Sequence, residues 1–346
     1  MSKDHCGACN NNKRMPYEEL EMAKKLKVGI EITVMDKVGA PFTEQLEVAA
    51  LADDIGLDFL AVPDSIARPF HKLDALIQTA ALFTKTKRIR IGTDVFQVPL
   101  RHPIDIARRV TTLDTISGGR FDFGVGLGWF HKEFEFLGIP FNQRAGRADE
   151  ALQVIKRLWT EPVVSHAGKY FKFSDFSLEP KPVQKPHPPI WIGGSSDAAL
   201  RRVVRIGNGW AGHLETGHVG MDHLEGEVKT YGPAEVISKL KGFAREAGRD
   251  FSTIHLSMMF RANINPDAKK AVEEASRYWD KVGKYIEGGR PFDVKQRAAL
   301  YGPPERLLER VKEVEKLGAE RVVFYLHAYD IKAQVKALEK YILPNL

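Results

Sequence analysis

Short apolar runs alternate with amphipathic segments along most of the chain. Val28 to Val34 predicts a first strand. Thr43 then opens a helix that Gly56 closes, with Leu46, Ala49, Ala50 and Leu51 at helical spacing. The pattern repeats. Strands are predicted at Phe59 to Val62, Ile89 to Val95, Arg120 to Gly126, Pro189 to Ile192, Gly209 to Gly212, Ile254 to Ile264 and Arg321 to Leu326. Helices are predicted at Lys72 to Thr84, Pro103 to Gly118, Arg147 to Trp159, Ser196 to Ile206, Tyr231 to Ala247, Pro304 to Leu317 and Ile331 to Tyr341. Residues 161–188 carry Pro162, Pro180, Pro182, Pro186 and Pro188 and are predicted as loop, and Asp267 to Ile286 as a helical insertion. Strict alternation implies a parallel sheet with right-handed crossovers. Eight such units favour an α/β fold of the (β/α)₈ TIM-barrel type with loop and helical insertions. The expected organisation is a polar leader, residues 1–27, and one barrel domain, residues 28–346.

Composition narrows the function classes. At 346 residues, 43% hydrophobic and 28% charged, the chain reads as globular. Its apolar runs are strand-length, which excludes a spanning helix, and its leader has no apolar core, so a cytoplasmic location is expected. The net charge of +6 does not indicate nucleic acid, because acids and bases interleave along helices, as between Glu305 and Lys316. Cys6 and Cys9 form a C-x-x-C in the leader, with His5 beside it and no fourth ligand nearby, so no metal site is expected.

A barrel of this type carries its chemistry at the carboxyl ends of its strands. The predicted ends supply Asp64 and Ser65, then Thr93, Asp94 and Val95, then Gly126 and Gly128. The strand ending at Ile192 is followed by Gly193, Gly194, Ser195 and Ser196 at a helix start. Two glycines, two hydroxyls and a positive dipole end suit a phosphate. The same four residues also suit a tight turn with an N-cap. His71, His131 and His213 fall in loops of the same face and are the candidates for proton transfer, whereas His102 is placed to brace a helix start. Gly124 to Trp129 lacks the last glycine of G-x-G-x-x-G, and no P-loop, H-E-x-x-H or G-x-S-x-G occurs.

Several segments resemble the bacterial-luciferase-like oxidoreductases. They are Ile91 to Val95 with Pro99 to Pro103, Leu113 to Arg120, Gly124 to Trp129, Glu133-Phe134, Leu137-Gly138, Arg147 to Glu150, Leu158-Trp159, Pro188 to Gly194, and Gly207 to Trp210. The resemblance runs from about residue 28 to the C-terminus and is densest between residues 89 and 212. It implies a homodimeric TIM-type barrel that holds FMN or the deazaflavin coenzyme F-420 in its mouth, with the phosphate after the fifth strand. It also implies a hydride exchange with a small organic substrate, with the deazaflavin favoured. The alternatives are a reduced-FMN monooxygenase that uses oxygen, and a flavin-binding barrel without catalysis. Relatives often hold a non-prolyl cis peptide after the third strand, which corresponds here to Asp94–Val95, with Val95 pressed toward the ring. Two departures stand out. Ser65 replaces a histidine common in relatives, and Leu127 and Phe130 stand where the sugar-phosphate dehydrogenases carry Glu and Asn, which argues against sugar-phosphate oxidation.

Overall fold

The alternation closes on itself. The computed structural model describes residues 26–32, 42–67, 72–213, 231–286 and 300–346. Its strands are β1 (Lys27–Glu31), β2 (Phe59–Val62), β3 (Arg90–Thr93), β4 (Phe96–Gln97), β5 (Phe121–Gly126) and the pair β6 (Val164–Ala167) and β7 (Lys172–Phe176). They continue with β8 (Ile190–Gly193), β9 (Gly209–His213), β10 (His255–Ile264), β11 (Leu300–Gly302) and β12 (Arg321–Leu326). Eight of them pair in parallel in the order β1-β2-β3-β5-β8-β9-β10-β12, and β12 returns to β1 with Val28 opposite Val322. The expected (β/α)₈ barrel is therefore present.

The helices are α1 (Phe42–Asp54), α2 (Ala75–Phe83), α3 (Pro103–Ser117), α4 (His131–Phe136) and α5 (Arg144–Thr160). The second half holds α6 (Asp197–Ile206), α7 (Pro233–Glu246), α8 (Ala268–Ile286), α9 (Pro304–Lys316) and α10 (Ile331–Ala337). Local chemistry sets their ends. Asp74 accepts from the backbone N–H groups of Leu76 and Ile77, both at 3.0 Å, and starts α2. Pro103 opens α3 without losing a helical hydrogen bond, and Gly118, at φ 63°, closes it in the left-handed region. His102 braces that start as expected: its Nδ1 accepts from Ile104 N at 3.3 Å.

The main core lies between barrel and helices. It includes Leu60, Ile91, Phe123 and Val322 from strands and Val110, Leu152, Val203 and Val311 from helices, all buried. Removing such a side chain from water contributes about 1.5–3 kcal/mol. The segments that carry the family resemblance serve largely as braces. Asp114 accepts from Gln184 N at 2.9 Å and Nε2 at 2.7 Å. Arg120 lies over Phe83 and donates to Ile89 O at 3.0 Å. Glu150 accepts from the backbone N–H groups of Lys169, Tyr170 and Phe171 and faces His166 Nε2 at 3.1 Å.

Four expectations need correction. Residues 161–188 are not all loop: β6 and β7 form an antiparallel hairpin, and Glu150 on α5 gathers its turn. The third strand stops at Thr93, and the chain re-enters the sheet as β4 beside β5. α5 begins three residues early, at Arg144, and α10 ends at Ala337, after which Leu338–Ile342 forms a wider π turn. Residues 1–25 of the leader, with Cys6 and Cys9, and residues 33–34 of the expected first strand lie outside the described residues.

Candidate active site

Strand parity divides the barrel interior into layers. At the floor, Arg321 of β12 lies between the rings of Phe59, 3.6 Å away, and Trp191, 4.1 Å away. Its Nη1 donates to Asp122 Oδ2 at 2.8 Å and its Nε to Ser257 Oγ at 2.9 Å. Arg90 holds the other oxygen of Asp122, with Nε donating at 2.9 Å. Two residues further along their strands, the next layer is small or apolar: Ala61, Gly92, Gly124, Gly193, Ala211, Met259 and Val323. Of these, Ala61, Met259 and Val323 cluster with Phe59 and Tyr325, apart from the outer core. One step higher the strands present Glu31, Asp94, Gly126, His213, Arg261 and Tyr325. The mouth thus has a narrow floor of glycine and alanine under a rim of titratable groups.

The β3–β4 connection shapes one wall. The Asp94–Val95 peptide is cis, as expected from the resemblance. Val95 lies over two glycines. A Cβ at Gly126 would stand 2.4 Å from Val95 Cγ2, and one at Gly193 would stand 2.9 Å from Val95 Cγ1. These glycines are required by Val95, a neighbour no local pattern indicates. Asp94 itself is only partly exposed, and its backbone N–H donates to Val62 O at 2.9 Å. Burial pushes its carboxyl up to about 6, against the opposing pull of Arg321.

Other predicted residues are engaged in holding the rim. Asp64 is buried and binds Arg101 through both oxygens, at 2.7 and 2.9 Å, and Oδ2 also accepts from Gln97 N at 3.0 Å. That carboxylate is committed to its cation. Ser65 donates to Glu133 Oε1 at 2.7 Å, and the same oxygen accepts from Ile66 N and Ala67 N. Glu133 thus anchors the chain after β2, a role that requires contacts far apart in sequence. Thr93 Oγ1 donates to Gly124 O at 2.6 Å. Gly128, at φ 75°, packs so closely that a Cβ would meet Gln97 Oε1 at 2.4 Å.

The β8–α6 turn is open. Gly194 has φ 100°, a conformation that favours glycine, and its carbonyl accepts from Trp210 Nε1 at 2.9 Å. Ser196 caps α6 by accepting from Ala199 N at 3.3 Å, so the N-cap reading holds for it. Ser195 makes no side-chain hydrogen bond among the described residues and stands at the positive end of a ten-residue helix.

The histidines separate. His213, at the end of β9, is exposed to the mouth but ringed by protein, and desolvation with Arg261 nearby lowers it to about 4. His131 starts α4 and stacks on Phe141, with centroids 3.5 Å apart. His71 lies outside the described residues.

Sequence reasoning did not single out the opposite wall. His327, directly after β12, is buried, and its Nδ1 meets Tyr301 Oη at 2.8 Å. Tyr278 and Trp279 of α8 stack beside it, and Tyr325 meets it edge-on at 4.5 Å. Arg261 lies 5.7 Å from the Trp279 ring. The position of His327 at the end of the eighth strand was the local signal for this wall, and its partners come from α8, β10, β11 and β12.

The comparisons with known proteins agree with this geometry. The chain is 26% identical over 282 residues to the FMNH(2)-dependent dimethylsulfone monooxygenase of Pseudomonas putida, covering 76% of each chain. It is 26% identical over 351 residues to the F-420-dependent glucose-6-phosphate dehydrogenase of Gordonia bronchialis, covering 94% of this chain and 98% of that protein. The fold is shared with a monooxygenase from Streptomyces bottropensis, at TM-score 0.76, 21% identity and coverage of 92% of this chain and 99% of that one. It is shared equally with an F-420-dependent secondary alcohol dehydrogenase, at TM-score 0.75, 20% identity and coverage of 93% and 99%. A family model described as luciferase-like monooxygenase matches residues 26–321, and the chain belongs to that oxidoreductase family.

Proposed function

We propose that the protein is an oxidoreductase that binds FMN or coenzyme F-420 in the barrel mouth and acts on a small organic substrate placed above the ring. The observation that carries this reading is the β8–α6 turn. There Gly194 takes a conformation that favours glycine, the Ser195 hydroxyl is uncommitted among the described residues, and α6 starts four residues after β8 ends, at the carboxyl end of the barrel strands. Backbone N–H groups, a hydroxyl and a helix dipole are the donor set a phosphate requires. Ser196 already caps α6.

The residues present fit the rest of such a cofactor. Val95, Gly126 and Gly193 form a shallow, apolar bulge on one wall, the surface against which a flat ring would lie. The aromatic cluster of Tyr278, Trp279 and Tyr325 is buried around His327, across the barrel from β3. When bound, the cofactor supplies two-electron chemistry, either as a hydride carrier or, as reduced FMN, by reaction with oxygen. Arg261 and Arg321 supply fixed positive charge to the mouth, and Asp94 and His213 are the described groups at its rim whose proton affinity burial has shifted most.

The deazaflavin is favoured of the two cofactors. The F-420-dependent relative aligns over nearly the whole of both chains, whereas the FMNH(2)-dependent one aligns over three quarters. Titration of the purified protein with each cofactor, followed by fluorescence, tests the reading. The expected outcome is saturable binding with F-420 tighter. Binding of neither would refute the function, and tighter binding of FMN would move it to the monooxygenase branch.

A further inference from the structure

We propose that Asp94 is the proton-holding side chain of the mouth, and that it exchanges a proton with the ligand seated against Val95. The proposal rests on the cofactor reading above and assigns a role within that site.

Three other interior carboxylates near it are committed. Asp64 is held by Arg101, Asp122 by Arg90 and Arg321, and Glu133 by Ser65 and two backbone N–H groups. Asp94 makes no side-chain hydrogen bond or ion pair among the described residues. It shares the inward parity of Gly92 and emerges at the rim immediately before Val95. The charged groups around it are few. Arg321 approaches from the floor on β12, and its charge is already shared with Asp122 of β5. Arg90 of β3 is bound to the same aspartate. Glu31 of β1, His213 of β9 and Arg261 of β10 complete the rim, and Asp64 beyond β2 turns away to Arg101. Burial therefore dominates and leaves Asp94 able to gain or lose a proton close to neutrality. His213, beside Arg261, stays a neutral imidazole there and holds no spare proton.

The step is a plain acid–base exchange. The Oδ–H bond of Asp94 breaks, the proton moves to a lone pair on an oxygen or nitrogen of the ligand, and the carboxylate remains. Arg321 stabilises that carboxylate through space, and water entering the mouth returns the proton. In the reverse direction the carboxylate accepts. A group whose proton affinity lies near the working pH is the efficient one for such transfer.

Two measurements test this without turnover. Infrared difference titration of the cofactor-free protein should show a carboxyl with a midpoint near pH 6 that is missing from Asp94→Asn and Asp94→Ser. Calorimetric titration with FMN and with F-420, in buffers of different ionisation heat, should show proton exchange on binding. Between pH 5 and pH 7 the wild-type Kd should change about threefold more than that of either variant, whose remaining response is that of the ligand's own ionisable groups. A carboxyl that titrates with the ordinary surface aspartates overturns the proposal, as does proton exchange as large in both variants as in the wild type. If the wild type binds neither cofactor, the site reading fails and the proposal fails with it. Normal binding with an unchanged pH response in the variants removes the proposal alone.

Discussion

Val95 occupies the space in which a side chain at Gly193 would lie, since a Cβ there would stand 2.9 Å from Val95 Cγ1. The contact makes a prediction. Gly193→Ala forces Val95 out of its position, and overpacking of this kind costs about 1–3 kcal/mol. Cofactor affinity should fall about tenfold. Gly193→Ala combined with Val95→Ala removes the clash and should recover most of the loss. Fluorescence titration of the three proteins checks this, and wild-type affinity in Gly193→Ala would show that the bulge does not set the site.

The serines after β8 differ in what they hold. Ser196 already caps α6, so Ser196→Ala should destabilise the fold by about 1 kcal/mol in addition to weakening binding. Ser195 makes no side-chain hydrogen bond among the described residues, so Ser195→Ala should leave stability unchanged. One hydrogen bond to an anion is worth about 1.5–3 kcal/mol, so the loss in affinity should be tenfold or more. Denaturant midpoints and cofactor titrations separate the two effects.

Asp64 and Arg101 form a bidentate pair beside the mouth, with the carboxylate fully enclosed. Removing one partner leaves a buried charge, which costs about 3–5 kcal/mol. Asp64→Ala should therefore lower the unfolding free energy by that order, whereas a proton-transfer role would leave stability intact. Guanidinium unfolding decides between these.

Asp94 and His213 oppose one another in acid. The folded-state pKa of Asp94, about 6, lies above its ordinary 3.8, so its ionisation in the fold costs stability as pH rises through that window. That cost is complete above pH 6, where it is on the order of 3 kcal/mol. Asp94→Asn should be more stable than wild type at pH 7 and no more stable at pH 4. His213, lowered to about 4 from 6.5, contributes stability above 6.5 that is lost as pH falls toward 4. Its exposure makes this the smaller effect. Relative to wild type, Asp94→Asn should accordingly lose stability on acidification from 6.5 to 4, and His213→Gln should gain it. Unfolding midpoints across about pH 4–8 provide the check, and parallel curves for the two variants would contradict both assignments.

The barrel was legible in the sequence because its strands are buried on both faces and read as continuous apolar runs, as at Phe59–Val62 and Arg321–Leu326. The hairpin Val164–Phe176 was not, since its strands are half exposed, sit among prolines and are gathered by Glu150 from a preceding helix. The candidate site divided in the same way. Glycines and serines at a helix start are a local signal, and the turn after β8 stood out for that reason. What those residues meet is not local. Gly126 faces Val95, Ser65 faces Glu133, and Asp64 is taken by Arg101, each from another element. The aromatic wall around His327 draws on α8, β11 and β12 together, so no stretch of sequence announces it.

The sealed base of the barrel imposes an order of traffic. Arg321, clasped between Phe59 and Trp191 and tied to Asp122 and Ser257, fills the floor among the described residues. Whatever enters must come through the rim and leave the same way. In the proposed arrangement, a molecule seated deepest, with its ring against Val95, would arrive first and depart last. The one above it comes and goes while the first stays in place. On the proposed reading, one point of entry among the described residues would set the order of binding.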